Sequence, residues 1–209
     1  MAGEFLNIAL SDGDDEFVAS SDASIGLTDS LRLNAGDGDD AITLNGVSGV
    51  ANGELGDDYL AGNHGNDTLR GDEGADTLLG GGGRDKLFGG EGSDSLAGGS
   101  GFDTLIGGDG DDTIIGGSED DVLYGDTNVN RDGTQGSDTF VFGTDDGNDK
   151  VWDFSSDFDI FLMAGGADIE ISYQNAHSIV TFGNTEITVY QVHLTEDDFI
   201  GDFGDVLLV

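Results

Sequence analysis

The chain has no cysteine and no proline among its 209 residues, and only 6 lysines and arginines against 44 acids. Without cysteine there is no disulfide framework, which suits an exported protein that folds without one. The formal net charge of −38 excludes a nucleic-acid partner, because phosphate backbones are held by Lys and Arg. The same shortage of bases disfavours anionic membranes and polyuronate polysaccharides. No run of about 18 apolar residues is present, so no membrane-spanning helix is expected. The N-terminal stretch MAGEFLNIALSDGDD has no basic region and little apolar length. It does not read as a cleavable secretory signal.

Catalytic signatures are missing as well. The three histidines, His64, His177 and His193, do not form HExxH, and there is no GxSxG elbow, P-loop or dinucleotide-binding fingerprint. Paired acids such as Asp111 and Asp112 recur turn after turn, unlike the single carboxylate pair of a glycosidase. The expectation is that the chain is not an enzyme.

What is abundant is glycine, 38 residues, and it is periodic. Asp58, Asp67, Asp76, Asp85, Asp94, Asp103, Asp112 and Asp121 follow one another at nine-residue spacing. High charge with modest hydrophobicity would alone predict disorder. A fixed period instead implies stacked, near-identical units. Frames of nine begin at Ala35 and run through the one at Gly116, with GGGGRDKLF, GGEGSDSLA, GGSGFDTLI and GGDGDDTII the most regular. Position 4 is glycine except at Val47 and Glu119. Position 6 is aspartate except at Gly49. Position 8 is Ile42, Ala51, Leu60, Leu69, Leu78, Leu87, Leu96, Leu105, Ile114 or Leu123.

Glycines at positions 1, 2 and 4 permit a tight loop with inward carbonyls. The last three residues alternate out, in, out, as a short strand does. One frame therefore supplies a turn and a strand, and two frames supply a coil with two parallel sheets facing across a thin aliphatic core. Alternate frames stack, which gathers the aspartates into two ladders. Carboxylates about 5 Å apart repel by roughly 3 kcal/mol at an effective dielectric of 20. An inward leucine contributes only about 1.5–3 kcal/mol. Solvated turn aspartates would be the plain alternative, but acid at one position in eight consecutive frames argues for a bound dication. An all-oxygen donor set favours calcium over zinc or copper.

These frames resemble GGxGxDxUx, the nonapeptide of the RTX (repeats-in-toxin) family. The match is dense over Gly53–Tyr124 and looser over Ala35–Asn52. The resemblance implies an all-β fold, a parallel β-roll, with several Ca2+ ions between successive coils. Their ligands would be Asp40, Asp58, Asp67, Asp76, Asp85, Asp94, Asp103, Asp112 and Asp121. It implies further that loop carbonyls contribute from Gly71, Gly74, Gly80, Gly81, Gly83, Gly89, Gly90, Gly92, Gly98, Gly99, Gly101, Gly107, Gly108 and Gly110. Glu54, Asn63 and Asp72 replace the second glycine of their frames, and Glu119 the fourth, which weakens those sites.

Residues 1–34 hold one repeat-like piece, SDGDDEFVA, with Asp15 out of phase with Asp40, and read as a degenerate N-terminal coil or cap. The roll is assigned to 35–135. It breaks at GDTNVNRDGTQG, where Asp126, Asn128, Asn130 and Asp132 alternate as in an EF-hand loop. Arg131 stands where that loop needs glycine, which favours a plain insertion. Irregular repeats resume with Asp138 and Asp149. Residues 136–209 gather aromatics and then alternate as antiparallel strands, a C-terminal β cap. This segment resembles the closing region of RTX proteins, including the serralysin-type proteases. Its end, Asp205 through Val209, is similar to their export signals. Phe140 and Phe142 are expected in the cap core.

The resemblance implies a secreted, calcium-binding module that folds outside the cell and leaves by type I secretion machinery. Two further function classes fit the sequence. One is adhesion or self-association, or contact with a cell-surface or polysaccharide partner, through an outward stripe of Phe88, Ile106 and Tyr124. The opposite face, with Thr77, Ser95 and Thr113 beside Leu79, Ala97 and Ile115, is too mixed for an ice-binding ladder. The other class is the non-catalytic C-terminal region of a secreted enzyme.

Overall fold

The structure, a computed structural model, describes residues 6–19, 31–46, 48–126, 136–155, 159–164, 169–174, 177–190, 194, 199–200 and 206–208. His193, the EF-hand-like stretch from Asn128 to Asp132, Asp205 and Val209 lie outside them. Every element among the described residues is a strand. The first thirteen are β1 (Leu6–Ala9), β2 (Glu16–Val18), β3 (Leu31–Asp37), β4 (Ala41–Thr43), β5 (Gly49–Leu55), β6 (Tyr59–His64), β7 (Thr68–Glu73), β8 (Thr77–Gly82), β9 (Lys86–Glu91), β10 (Ser95–Ser100), β11 (Thr104–Asp109), β12 (Thr113–Ser118) and β13 (Val122–Tyr124). Then come β14 (Thr139–Phe142), β15 (Asn148–Trp152), β16 (Ile160–Met163), β17 (Ile169–Gln174), β18 (His177–Phe182), β19 (Thr185–Val189), β20 (Phe199–Ile200) and β21 (Val206–Leu208).

Odd and even strands separate into two sheets. One is ordered β1-β3-β5-β7-β9-β11-β13-β15-β19-β18-β17-β21, the other β2-β4-β6-β8-β10-β12-β14-β16-β20. This is the parallel roll that pairing of alternate frames requires. Leu69 lies opposite Leu87, and Leu87 opposite Leu105, each step being two frames. In the other sheet Leu60, Leu78, Leu96 and Ile114 align in the same way. All the position-8 side chains from Ile42 to Leu123 have no exposed surface. The core is thus one aliphatic residue deep from each sheet.

Both sheets continue in parallel register past residue 135. Ile114 pairs with Phe140 and Phe140 with Phe161, while Leu123 pairs with Val151. Phe140 and Phe142 are buried, as core residues of further coils. With Phe154 and Phe161 they form an aromatic stack, the closest pair 4.4 Å apart between ring centres. Among the described residues antiparallel pairing is confined to β17–β18 and β18–β19. At the other end β1 pairs with β3 and β2 with β4, so the piece containing Asp15 is a coil of the same roll, its phase displaced by what intervenes.

The outward stripe differs from its sequence expectation. Phe88, Ile106, Tyr124 and Trp152 do align on one face, but they are only half exposed. Arg70 lies 4.2 Å over the Phe88 ring, and Trp152 stacks on Tyr190 at 3.8 Å. Stacking at one residue per coil covers the ring faces that an adhesive surface would need. The large apolar side chains that do stand exposed are scattered: Leu6, Val18, Leu55, Tyr59, Phe102 and Leu162.

Candidate metal centre

The turns between strands place the position-6 aspartates at the edges of the core, and all nine of the expected ligands are at most 3 % exposed. Burial of so many carboxylates demands partners. Each has one on one side only. The Oδ1 of Asp58 accepts the amide of Asp40 at 2.8 Å, and Asp76 accepts that of Asp58. Asp94, Asp112, Asp138 and Asp159 carry this first ladder onward. In the second ladder Asp67 accepts the Gly49 amide, and Asp85, Asp103, Asp121 and Asp149 follow. Gly49 keeps the amide but lacks a carboxylate to accept from the coil before it, so the second ladder begins at Gly49.

The first ladder closes on itself at both ends. At one end Asp15 turns an oxygen to the amide and hydroxyl of Ser11, 3.0 and 3.2 Å away. At the other the Asp159 amide donates to the Ser155 carbonyl at 2.7 Å, and Asp159 accepts the Ser155 amide at 2.7 Å. A second set of bonds runs in the opposite sense at position 5. Asp39 accepts the amide of Asp57, Asp57 that of Ala75, and Asn66 that of Arg84.

The other carboxylate oxygen is the informative one. The Oδ2 of every expected aspartate, from Asp40 to Asp121, is buried without a hydrogen-bond partner. The same holds for Asp138 and Asp149. The glycines show what faces these oxygens. A Cβ built on Gly98 would lie 2.6 Å from Asp103 Oδ2 and 2.5 Å from the Gly116 carbonyl oxygen. At Gly62 it would lie 2.5 Å from Asp67 Oδ2 and 2.6 Å from the Gly80 carbonyl oxygen. The same pair of neighbours, an Oδ2 from the same turn and a carbonyl from the next coil, recurs at Gly53, Gly71, Gly80, Gly89 and Gly107. Neither Gly98 nor Gly62 has positive φ. Glycine is needed there to leave room beside two oxygen donors.

Position-1 glycines are therefore where carboxylate and carbonyl meet. Of the expected carbonyls, those of Gly71, Gly80, Gly89, Gly98 and Gly107 are brought to an Oδ2. The carbonyls of Gly74, Gly81, Gly83, Gly90, Gly92 and Gly99 instead lie under the loop glycines of the next coil. Gly101, Gly108 and Gly110 sit above glycines one coil back, and the Gly110 carbonyl lies under Gly136 in turn. Gly116 and Gly125, also at position 1, bring their carbonyls to the Oδ2 of Asp103 and Asp112. The sequence reading passed over them, although their place in the frame was a sufficient signal. The substituted loop positions hold the conformation that glycine would: Glu54, Asn63, Asp72 and Glu119 have φ of 85°, 67°, 78° and 76°.

Electrostatics follow from this burial. Desolvation pushes the Asp112 and Asp121 carboxyls up to about 8 and Asp76 to about 7. The amide bond from the preceding coil opposes this, and neighbouring carboxylates add to it. Asp58, Asp67, Asp94 and Asp103 are raised to about 6 by the same cause, and Asp40 and Asp85 are raised. No basic side chain is among the causes. Among the described residues no three acidic or histidine side chains converge as a ready-made cage. The geometry supplies one carboxylate oxygen per step plus carbonyls, an arrangement for a hard cation bound between coils. His64, the last residue of β6, is exposed.

Comparison with known proteins agrees with this chemistry. The family description "RTX calcium-binding nonapeptide repeat (4 copies)" matches residues 52–87, 70–105 and 97–128. Residues 52–128 thus match the RTX repeat, and they form the most regular part of the parallel roll. Among solved structures, the extracellular lipase LipA from Serratia marcescens is similar with a TM-score of 0.41 and 19 % identity. That alignment covers 83 % of this chain and 40 % of the lipase chain. No curated protein matches the sequence.

Proposed function

We propose that the chain is an extracellular module that folds when calcium binds between its coils, and that this coupling supports export through type I secretion machinery. The observation that carries the reading is the row of buried Oδ2 atoms without partners, from Asp40 to Asp149. An unpaired buried carboxylate costs several kcal/mol, roughly what a domain of this size has to spare. A cation that binds only the folded roll returns that energy in proportion to its concentration above Kd. Extracellular calcium modules bind at roughly 10⁻⁴–10⁻³ M, far above cytosolic calcium. Inside the cell the chain stays extended and can thread a channel; outside it folds. The chain's own residues position carboxylates and carbonyls, exclude water from Oδ2, and hold the coils in register; calcium supplies the neutralising charge.

Circular dichroism against calcium, with magnesium as control, tests this. The expected result is β-structure that appears with millimolar calcium and not with equal magnesium. Full β-structure in chelator, unchanged by calcium, would overturn it. Export is tested separately by deleting Asp205 to Val209 and measuring the chain in the medium. Unchanged export would remove the secretion part of the reading and leave the folding part standing.

A further inference from the structure

The ladder of Asp58, Asp76, Asp94 and Asp112 changes character at its next step. In a regular step, the space beside Oδ2 faces a glycine carbonyl from the coil above. Gly107 shows this, with Asp112 Oδ2 and the Gly125 carbonyl, 2.6 Å from its built Cβ, as neighbours. Gly125 is the next such glycine, and Asp138 Oδ2 lies against it. The residue stacked over Gly125 is Asp153, as the Tyr124–Trp152 register dictates. Asp153 has φ of 61° and accepts the Gly125 amide at 3.1 Å. A carboxylate thus stands where the repeat supplies glycine. Asp126 occupies the second position of this frame, where the regular repeat again has glycine. It is 5 % exposed, and its Oδ1 is buried without a partner.

Three carboxylates therefore border one step, with Asp159 behind them. Asp153 feels the charges of Asp126 and Asp159, Asp138 those of Asp159, Asp126 and Asp111, and Asp126 those of Asp159 and Asp109. Every charged neighbour that acts on them is an acid. The three surround the step without converging on one point, so carbonyl oxygens complete any ligand set. Two orphaned oxygens, Asp126 Oδ1 and Asp138 Oδ2, belong to the same frame. The hydrogen bonds of the fold do not account for either.

We infer that the gap bounded by Asp126, Asp138 and Asp153 is a divalent-cation site distinct from the repeat sites, richer in carboxylate, and joining the last regular repeat to the C-terminal coils. It rests on the reading of the repeat steps as calcium sites only for the choice of ion. Added ligand charge raises affinity for a hard cation, so this site fills before the repeats. Residues 126, 138 and 153 border it from both sides of the insertion, so filling it pins that segment and starts the roll from that end.

The sole tryptophan provides a local probe, since Trp152 adjoins Asp153. Terbium titrated into the full calcium-free chain, with tryptophan excited selectively, should give sensitised emission at the first equivalent. D126N/D153N should weaken that binding by about tenfold or more, while millimolar calcium still induces β-structure. D94N, in the middle of the ladder, should shift the calcium midpoint of folding and leave the first terbium event in place. Unaltered emission in D126N/D153N overturns the site, and so does equal loss in D94N. Should the double variant fail to fold at any calcium concentration, D126N alone decides. It keeps an acceptor for the fold and loses only charge, so emission that persists in it overturns the site, and emission lost in it supports the site. A chain whose β-structure ignores calcium, yet which loses its terbium event in D126N, would retain this site and refute the wider folding reading.

Discussion

Protons should substitute for calcium, and the pH at which they do so is set by the buried ladder. The perturbation is removal of divalent cations with chelator, followed by acidification. Asp112 and Asp121 titrate near about 8 in the fold, Asp76 near about 7, and Asp58, Asp67, Asp94 and Asp103 near about 6, all from an ordinary value of 3.8. These folded-state values lie above the unfolded ones, so the folded roll binds protons that the unfolded chain releases. The stability from this source is complete below about pH 4 and is lost as pH rises through 6 to 8. At pH 7 a carboxyl raised to about 6 costs the cation-free roll about 3 kcal/mol, and one raised to about 8 costs about 4. Two or three such groups match the roughly 5–15 kcal/mol that hold a domain together. The ladder titrates collectively, since each carboxylate raises its neighbours. Circular dichroism in chelator from about pH 8 down to about 5, with sedimentation to confirm a monodisperse sample, is the assay. β-structure should be low at the alkaline end and grow on acidification, and millimolar calcium should abolish the dependence. Equal β-structure across the range in chelator would refute the reasoning, because burial would then cost these carboxylates nothing.

Four further outcomes follow from the same geometry. G98A places a methyl group against Asp103 Oδ2 and the Gly116 carbonyl and should raise the calcium midpoint of folding by about tenfold or more. G82A, whose Cβ would meet Ser100 Oγ only at 3.2 Å, should leave the midpoint nearly unchanged in the same titration. D85N keeps an acceptor for the Asp67 amide and loses charge, so it should stabilise the cation-free chain and destabilise the calcium-loaded one; urea melts in both conditions check the opposite signs. L96A removes a fully buried core residue and should cost about 2–5 kcal/mol in calcium-loaded urea melts, with m nearly constant.

Much of the roll was legible because its information is periodic. A nine-residue frame with leucine at position 8 has only one way to hide its leucines, and Leu60, Leu78 and Leu96 align accordingly. The gathering of Asp58 to Asp121 into two ladders was legible for the same reason, and both ladders are buried. Asp153 was not legible, since it lies outside any frame and is paired with Gly125 through a 28-residue step. Sequence spacing cannot predict a register that an insertion resets. The half-burial of Phe88 and Tyr124 was also hidden. Alignment on a face follows from the period, but stacking on Arg70 or Trp152 depends on which side chain the neighbouring coil happens to carry.

The serines at the two ends of the first ladder have a consequence for length. A ladder in which every amide reaches for the carboxylate of the following coil is a polymer with a direction, and its two ends are chemically unlike. Ser11 occupies the acceptor at one end, and Ser155 occupies the donor at the other. Both are end groups held within four residues of their own aspartate. Neither depends on how many monomers lie between them. Excising one eighteen-residue repeat unit in phase, the spacing at which Asp76 meets Asp94, rejoins donor to acceptor and leaves both terminators in place. The roll can therefore vary in length as a unit count, with its closure at each end unchanged.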